Sequence, residues 1–378
     1  MKFNYNDILE PKNIKKYNSV SSTNEDIKKY KVGEFRIVTE QARYPLANIK
    51  QIFSGSNYLL QPEYQRRRVW DTKRKSKLIE SFMINVPVPP VFLYETEYSQ
   101  YEVMDGLQRI STILDFFNNK FKLEDLEIWP ELNGKTYNDL PLPIRESVDR
   151  RYLSATILLK ETAPNKLDEN MMKRFVFERL NTGGIELSPQ EIRNALYTSN
   201  FNKLVIKLAE DVQFKSMLGS LDDDDYRRME DCELVLRFFC YKSAIKHKLS
   251  KSTKYLLDTY SEIAQSFSNS ELIELESLFK KTINYSNLMF GDFAFSRSSA
   301  KVKFEKMIFD TVTITISEMF EEGLIPSNFA DKSIQISKTR DSCFINNEEV
   351  FNGKYTAISA VRQRVDLLKA DLVEFLNE

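Results

Sequence analysis

The sequence predicts an α+β protein in which strands and helices alternate in the N-terminal half and helices fill the C-terminal half. Apolar patterns typical of strands lie at 91–94, 101–104, 121–128 and 153–160, and none is found after Lys160. After Ser188 the apolar residues recur at helical spacing, at 201–219, 230–248, 253–268, 271–290, 301–322 and 356–376. A chain of 378 residues is long enough for two domains. We therefore predict a polar N-terminal arm over 1–40, a mixed domain over 41–200 and a helical domain over 201–378.

The first informative segment is a polar loop over 61–71 that leads into a helix predicted over 73–84. Asp71 or Thr72 can cap this helix at its N-terminus, and the proline-rich run after it ends the helix. Glu80 shares the helix with apolar core positions. It is either a solvated carboxylate beside an apolar face or a functional ligand.

Basic residues crowd the same stretch: Arg66, Arg67, Arg68, Lys73, Arg74, Lys75 and Lys77. Tyr64 and Trp70 lie among them, so cationic and stacking groups occur together, as is typical of nucleotide or DNA-backbone contacts. The alternative is that the lysines simply form the solvated face of the helix.

The segment Tyr101–Ile110 predicts a buried strand that ends at Asp105 and continues at once as a helix. Gly106 permits the tight turn between them. The helix N-terminus then offers backbone N–H groups and a positive dipole end to an anion, and Arg109 can add a charge-assisted contact. Asp105 would hold a cation or a hydroxyl. The alternative is an ordinary Asp-Gly turn between a strand and a helix.

A third pattern joins two predicted helices through a loop with paired glycines, Asn181-Thr-Gly-Gly184. The second helix starts at Ser188-Pro-Gln-Glu191, which predicts a capping box with proline at the first helical position. By itself the loop is either a well-capped turn between helices or a ligand-facing segment rich in backbone donors.

Taken in order, these three blocks resemble the GmrSD-type N-terminal domain, a ParB/sulfiredoxin-like fold of bacterial restriction and anti-phage proteins. The likeness covers roughly residues 40–200 and rests on Tyr64-Gln-Arg66 with the helix that follows, on Met104–Arg109, and on 180–194. The family's second block reads Asp-Gly-Gln-Gln-Arg. Leu107 departs from it and removes one polar group, which affects turnover more than nucleotide binding.

The resemblance implies an NTPase: a hydrolase site that binds a nucleoside triphosphate with Mg²⁺ and uses its state to control attack on foreign DNA. Carried over residue by residue, the catalytic candidates are Gln65, Asp105, Gln108 and Arg109. The nucleotide-binding candidates are Tyr64, Arg66, Gly106, Asn181, Gly183 and Gly184. Glu80 and Asp105 are the expected metal ligands, and Arg193 is a supporting residue. Two arginines, a glutamine and carboxylates suffice chemically for phosphoryl transfer.

Composition limits the remaining possibilities. The formal net charge is −1, so the whole chain is no electrostatic DNA binder. No segment has the apolar length of a membrane span and the N-terminus has no signal-peptide core, so we expect a cytoplasmic protein with no membrane partner. The three cysteines, Cys232, Cys240 and Cys343, are scattered, which argues against zinc and favours reduced thiols. Cys232 and Cys240 fall in an apolar helical pattern, so we expect these two to be buried.

His247 is the single histidine of the chain and lies outside the three blocks. An HNH nuclease domain and Ser-His or Cys-His nucleophiles are therefore not expected. The sequence favours an NTP-binding, NTP-hydrolysing regulatory component of bacterial defence. The alternatives are a nucleotide-gated module that binds DNA or a partner without hydrolysis, and a weak ParB-like nuclease. Possible partners are DNA, an effector protein or a second copy of the chain.

Overall fold

A computed structural model describes residues 5–18, 38–60, 70–160, 173, 175–176, 179, 188–219, 229–298, 301–352 and 357–377. The chain divides into two compact units. We call Ser22–Leu187 the sheet unit, and Met1–Ser21 together with Ser188–Glu378 the helical unit. A five-stranded sheet in one unit and mainly helices in the other confirm the predicted α+β class. The ParB-like topology stays a prediction.

The sheet unit is built from five strands and several short helices. Its strands are β1 (Thr39–Pro45), β2 (Tyr58–Leu59), β3 (Val91–Glu97), β4 (Gln100–Asp105) and β5 (Tyr152–Leu158). Its α-helices among the described residues include α2 (Ile49–Phe53), α3 (Thr72–Met83), α4 (Leu107–Phe117) and α5 (Leu142–Asp149). The predicted helix at 73–84 and the strands at 91–94, 101–104 and 153–160 are thereby confirmed.

The strand order is β1-β5-β3-β4-β2. β1 with β5 and β3 with β4 are antiparallel pairs, whereas β3 with β5 and β2 with β4 are parallel. The apolar faces of α3 and α4 pack with the sheet in one core that includes Ile79, Phe82, Ile110 and Phe116. This packing fixes the end of β4, from which the candidate site is built.

The predicted strand at 121–128 is wrong, because these residues form an irregular loop. Leu123 and Leu126 are both buried, a spacing of three that does not fit strand alternation, and Asp125 has a φ of 57°. The backbone N–H groups of this loop pair with several partners outside the sheet. Leu123 N–H donates to the Lys135 carbonyl at 2.9 Å and Leu126 N–H to Oδ1 of Asn133 at 3.1 Å. Glu124 N–H donates to Ser76 Oγ at 2.9 Å, and the N–H groups of the next residues, 127–129, donate to the Glu80 carboxylate. The apolar residues are buried as the pattern suggests, but the backbone of the loop bonds to α3 and to residues 133–135 and forms no strand.

The helical unit contains a short N-terminal helix, α1 (Pro11–Asn18). Its other helices come after the sheet unit in the sequence. These are α6 (Pro189–Leu196), α7 (Asn200–Ala209), α8 (Val212–Leu218), α9 (Glu230–Lys246), α10 (Thr253–Ala264), α11 (Asn269–Phe290), α12 (Lys306–Glu321), α13 (Ser333–Asn346) and α14 (Ile358–Asn377). No helix in the described ranges is both long enough and apolar enough to cross a membrane. All three cysteines are buried and form no disulfide, which confirms the predicted reduced thiols and the predicted burial of Cys232 and Cys240.

Three details of this unit differ from the sequence prediction. The helical pattern at 201–219 forms two helices, α7 and α8, because Glu210 ends the first and Asp211 caps the second. The pattern at 301–322 begins as a hairpin, β6 (Ser296–Ser298) with β7 (Lys301–Phe304), before α12 starts. Helix α13 was missed, because its sequence is polar and only Ile336, Arg340, Cys343 and Phe344 are buried. The acidic run at 222–225, interpreted as a solvated loop, lies outside the described residues.

Candidate functional site

The turn between β4 and α4 is formed as predicted. β4 ends at Asp105, Gly106 takes a left-handed conformation (φ 91°, ψ 12°), and α4 starts at Leu107. No side chain caps the N-terminus of α4, whereas Asp71 caps α3 and Ser188 caps α6. The positive end of the α4 dipole is therefore not neutralised by its own N-cap, which is the arrangement that favours a bound anion.

Gly106 is required by close contacts as well as by its backbone angles. A Cβ at this position would lie 2.4 Å from Cγ1 of Val91 and 2.9 Å from Nη2 of Arg109. No side chain can occupy that space without displacing its neighbours. Val91 is a site-shaping residue that sequence reasoning missed, because its contact with residue 106 depends on strand pairing and leaves no local signal.

Arg109 and Asp105 form an ion pair across this turn. Nη2 of Arg109 donates to Oδ2 of Asp105 at 2.6 Å, an i,i+4 pair in which the side chains are 14% and 49% exposed. The buried Nε of Arg109 has no hydrogen-bond partner within the described part of the chain. A buried donor without an acceptor is costly, so an acceptor supplied by a ligand would relieve the cost.

Gln108 connects the first turn of α4 to the start of α3. Its Oε1 accepts a hydrogen bond from the backbone N–H of Trp70 at 3.3 Å. The guanidinium of Arg74 lies 4.6 Å from the centre of a Trp70 ring. The start of α3 is therefore hydrogen-bonded to the first turn of α4, and the exposed Arg74 lies over Trp70 at this junction. The other candidates of the first block, Tyr64, Gln65 and Arg66, lie outside the described residues.

Glu80 is buried, but backbone groups account for its burial. Its carboxylate accepts N–H groups from Glu127 at 3.2 Å, Ile128 at 2.7 Å and Trp129 at 3.2 Å. Within the described residues no group of three or more His, Cys, Asp or Glu side chains could hold a metal ion. The metal role of Glu80 stays a prediction, and the observed geometry gives this carboxylate a loop-holding role.

The lysines of α3 are paired with acidic residues. Lys73 lies 3.4 Å from Asp125, Lys75 3.1 Å from Asp115 and Lys77 2.6 Å from Glu127, each measured from Nζ to a carboxylate oxygen. These pairs neutralise the three lysines of α3 and tie the helix to its own unit. They favour the solvated helix face over a DNA-binding surface as the role of these lysines.

Only the second part of the third block, from Ser188 onward, lies within the described residues. Asn181, Gly183 and Gly184 lie outside the described residues. The predicted capping box of α6 is confirmed, with Ser188 N–H donating to Glu191 at 2.6 Å and Glu191 N–H donating to Ser188 Oγ at 3.2 Å. Pro189 is the first helical residue, also as predicted.

Arg193 lies in the helical unit and is almost fully buried. Its Nε donates to Oδ1 of Asp258 at 2.8 Å, and its Nη1 lies 3.2 Å from Oε2 of Glu233. Both carboxylates belong to helices of the same unit, α9 and α10. Arg193 therefore supports the packing of α6 in the helical unit.

Leu107 is 7% exposed and belongs to the core of the sheet unit. We expect Leu107→Gln to lower the free energy of unfolding by about 2–3 kcal/mol, since apolar burial is lost and an amide is buried in its place. Leu107→Met keeps the apolar volume and should cost less than about 1.5 kcal/mol. Urea unfolding of both variants measures the difference. Equal stabilities would show that the position tolerates a polar side chain.

The arrangement defines an α+β domain with a glycine turn and an uncapped, arginine-bearing helix N-terminus. Residues 49–198 match the family described as GmrSD restriction endonuclease, N-terminal domain. This segment belongs to that domain family, and it spans most of the sheet unit together with α6. No curated protein and no solved structure matches the chain significantly.

Proposed function

We propose that the GmrSD-type domain binds a nucleoside triphosphate with Mg²⁺ and hydrolyses it, and that the state of this site regulates a bacterial restriction or anti-phage system. The observation that supports it best is the buried, unsatisfied Nε of Arg109 beside an uncapped helix N-terminus. Phosphate oxygens are acceptors that match both a guanidinium and the first-turn N–H groups. The restriction role follows from the family to which residues 49–198 belong.

In this proposal the arginines, the glutamines and the carboxylate have different tasks. Arg109 and Arg66 neutralise phosphate charge, while Gln108 and Gln65 orient the attacking water. The half-exposed carboxylate of Asp105 is the candidate Mg²⁺ ligand. In the structure, the Asp105 carboxylate pairs with the guanidinium of Arg109. A phosphate that binds Arg109 would compete with Asp105 for the guanidinium and leave the carboxylate available for the metal ion.

The remaining nucleotide contacts are carried over from the family pattern. Tyr64 supplies an aromatic face, and Asn181, Gly183 and Gly184 form the lip of the site. A turnover assay with four NTPs and Mg²⁺, with and without DNA, tests the proposal. Phosphate release above the level of an Asp105→Asn variant supports hydrolysis, and its absence with every NTP contradicts it.

A triphosphate nucleotide with Mg²⁺ should raise the melting temperature, since a ligand that binds the native state stabilises it. Arg109→Ala should abolish most of this shift, because one charge-assisted phosphate contact contributes roughly 1.5–3 kcal/mol. Thermal unfolding with and without nucleotide measures the change. Arg150→Ala is the matched control, since Arg150 is exposed and lies 3.6 Å from Glu146. An unchanged shift in Arg109→Ala would remove Arg109 from the site.

Leu107 supports a second candidate function, that of a nucleotide-gated module that binds DNA or a partner without useful hydrolysis. The buried leucine stands where the family carries a glutamine and offers no polar group to the turn. Nucleotide-dependent stabilisation without phosphate release would identify this alternative. It would also make an effector protein, or a second copy of the chain, the recipient of the signal.

We expect the purified chain not to cleave DNA with the activity of a dedicated nuclease. The chain has one histidine and a formal net charge of −1, and the described α3 lysines are paired with acids. Plasmid cleavage across Mg²⁺, Mn²⁺ and each NTP measures this. Robust cutting that disappears in Asp105→Ala would instead support the ParB-like nuclease.

A further inference from the structure

The sheet unit is inserted into the helical unit along the chain. Residues of the helical unit precede it, at Met1–Ser21, and follow it from Ser188 onward. The chain therefore enters and leaves the sheet unit through segments that pack in the helical unit. The described parts of these segments are residues 5–18 on one side and α6 on the other.

The N-terminal segment is packed into the helical unit by apolar and backbone contacts. Ile8, Leu9 and Ile14 are buried. The backbone N–H of Leu9 donates to Oγ of Ser243 at 2.8 Å, and the Ser243 hydroxyl donates to the carbonyl of Asn6 at 3.0 Å. Ser243 lies in α9, so this helix holds the segment through a reciprocal pair of hydrogen bonds.

Charge reinforces the same attachment at the end of α9. Oδ1 of Asp7 lies 2.6 Å from Nζ of Lys246 and 3.1 Å from Nε2 of His247. The hydrogen bond from Lys246 is the main cause that holds the pKa of Asp7 below its usual value. A carboxylate at a helix C-terminus would be repelled by the dipole, and the ammonium of Lys246 in the last turn offsets this. Helix α1 also packs against α10.

The second attachment uses the same two helices. In α6, Arg193 donates to Asp258 of α10 and reaches Glu233 of α9. Helix α6 packs against both α9 and α10. The two segments that flank the inserted sheet unit are thus fixed to one helix pair, although 170 residues separate them in the sequence.

We infer that α9 and α10 form an anchoring platform for both ends of the inserted sheet unit, and that this helix pair responds to the state of the nucleotide site. The second part rests on the proposed function. Because α9 and α10 pack against each other and each end of the insertion is attached to them, a rearrangement of the sheet unit would act on this helix pair from both ends. The N-terminal segment is then an intramolecular ligand of α9.

Cleavage of the chain between its N-terminal segment and the sheet unit tests whether the helix pair α9–α10 holds that segment without the covalent link. A specific protease site is inserted between residues 22 and 37 of the full-length protein, which is cleaved and then passed over a size-exclusion column. The N-terminal fragment should co-elute with the remainder, detected by mass spectrometry. Loss of the fragment from the cleaved wild-type protein would overturn the inference.

Three variants of the cleaved protein define the contacts. Leu9→Asp places a charge at a buried position, so the fragment should be lost. Asp7→Asn removes a partly exposed ion pair and should speed dissociation by about two- to fivefold while the fold is kept. Lys12→Gln is the matched control, because Lys12 is exposed and pairs with Glu10 of the same segment. Dissociation of the control at the Asp7→Asn rate would contradict the assigned contacts.

Hydrogen exchange of the uncut protein, measured with each NTP and Mg²⁺, tests the response. An NTP that raises the melting temperature should change amide exchange in residues 5–18, α9 and α10 by at least about threefold. A raised melting temperature without that change would contradict the platform and leave the proposed function intact. If no NTP raises the melting temperature, the proposed function fails, and the cleavage experiment still decides whether α9 anchors the segment.

Discussion

Gly106→Ala should lower the free energy of unfolding by about 2–5 kcal/mol. The left-handed backbone at φ 91° costs an alanine roughly 1–2 kcal/mol. The added Cβ would also lie 2.4 Å from Cγ1 of Val91, a distance at which atoms must move, and overpacking of a tight contact costs typically about 1–3 kcal/mol. Urea unfolding followed by circular dichroism measures the sum.

Gly134→Ala is the matched control in the same unit. Gly134 has a φ of 82°, yet no atom lies within 4 Å of an added Cβ. Its variant should show the backbone cost of roughly 1–2 kcal/mol alone. The difference between the two variants isolates the steric part. Equal losses would mean that Val91 does not restrict the turn.

Val91→Ala gives a second test of the same contact. It removes Cγ1 and leaves Cβ, which an added Cβ at position 106 would still approach to 2.9 Å. The double variant should therefore lose less stability than the sum of the two single variants, with a coupling of about 0.5–3 kcal/mol. Strict additivity would contradict the predicted contact.

Much of the local structure could be predicted because its signals lie close together in the sequence. Asp71 caps α3 and Ser188 with Glu191 caps α6, in each case through atoms three residues apart. The strand-turn-helix at Gly106 follows from a glycine between two apolar patterns of different period. Short-range hydrogen bonds and periodicity are sufficient for such features.

Features that depend on long-range contacts could not be predicted in this way. The segment 121–128 is apolar enough to suggest a strand, but the N–H groups of Glu127 and Ile128 bond to Glu80, more than 40 positions earlier. The role of Val91 depends on sheet register, and the attachment of Leu9 to Ser243 spans 234 positions. Local propensity carries no information about such partners.

Glu80→Ala should lower the free energy of unfolding by about 3–4 kcal/mol, since hydrogen bonds to a charged acceptor contribute roughly 1.5–3 kcal/mol each and part of the loss is recovered by water. The carboxylate accepts the backbone N–H groups of three consecutive residues, Glu127, Ile128 and Trp129. Without it the loop over 121–129 loses most of its attachment to α3. Glu80→Gln keeps one acceptor oxygen and should lose less. Urea unfolding measures both variants.

Two controls separate the loop-holding role of Glu80 from the predicted metal role. Glu124→Ala removes an exposed carboxylate of the same loop and should change stability by less than about 0.5 kcal/mol. Unfolding is then repeated with EDTA and with Mg²⁺. A carboxylate that only holds backbone groups gives the same loss under both conditions, because its partners are amides. If Mg²⁺ stabilises the wild-type protein and this gain disappears in Glu80→Ala, the carboxylate binds the metal ion and the hydrogen bonds to 127–129 are secondary.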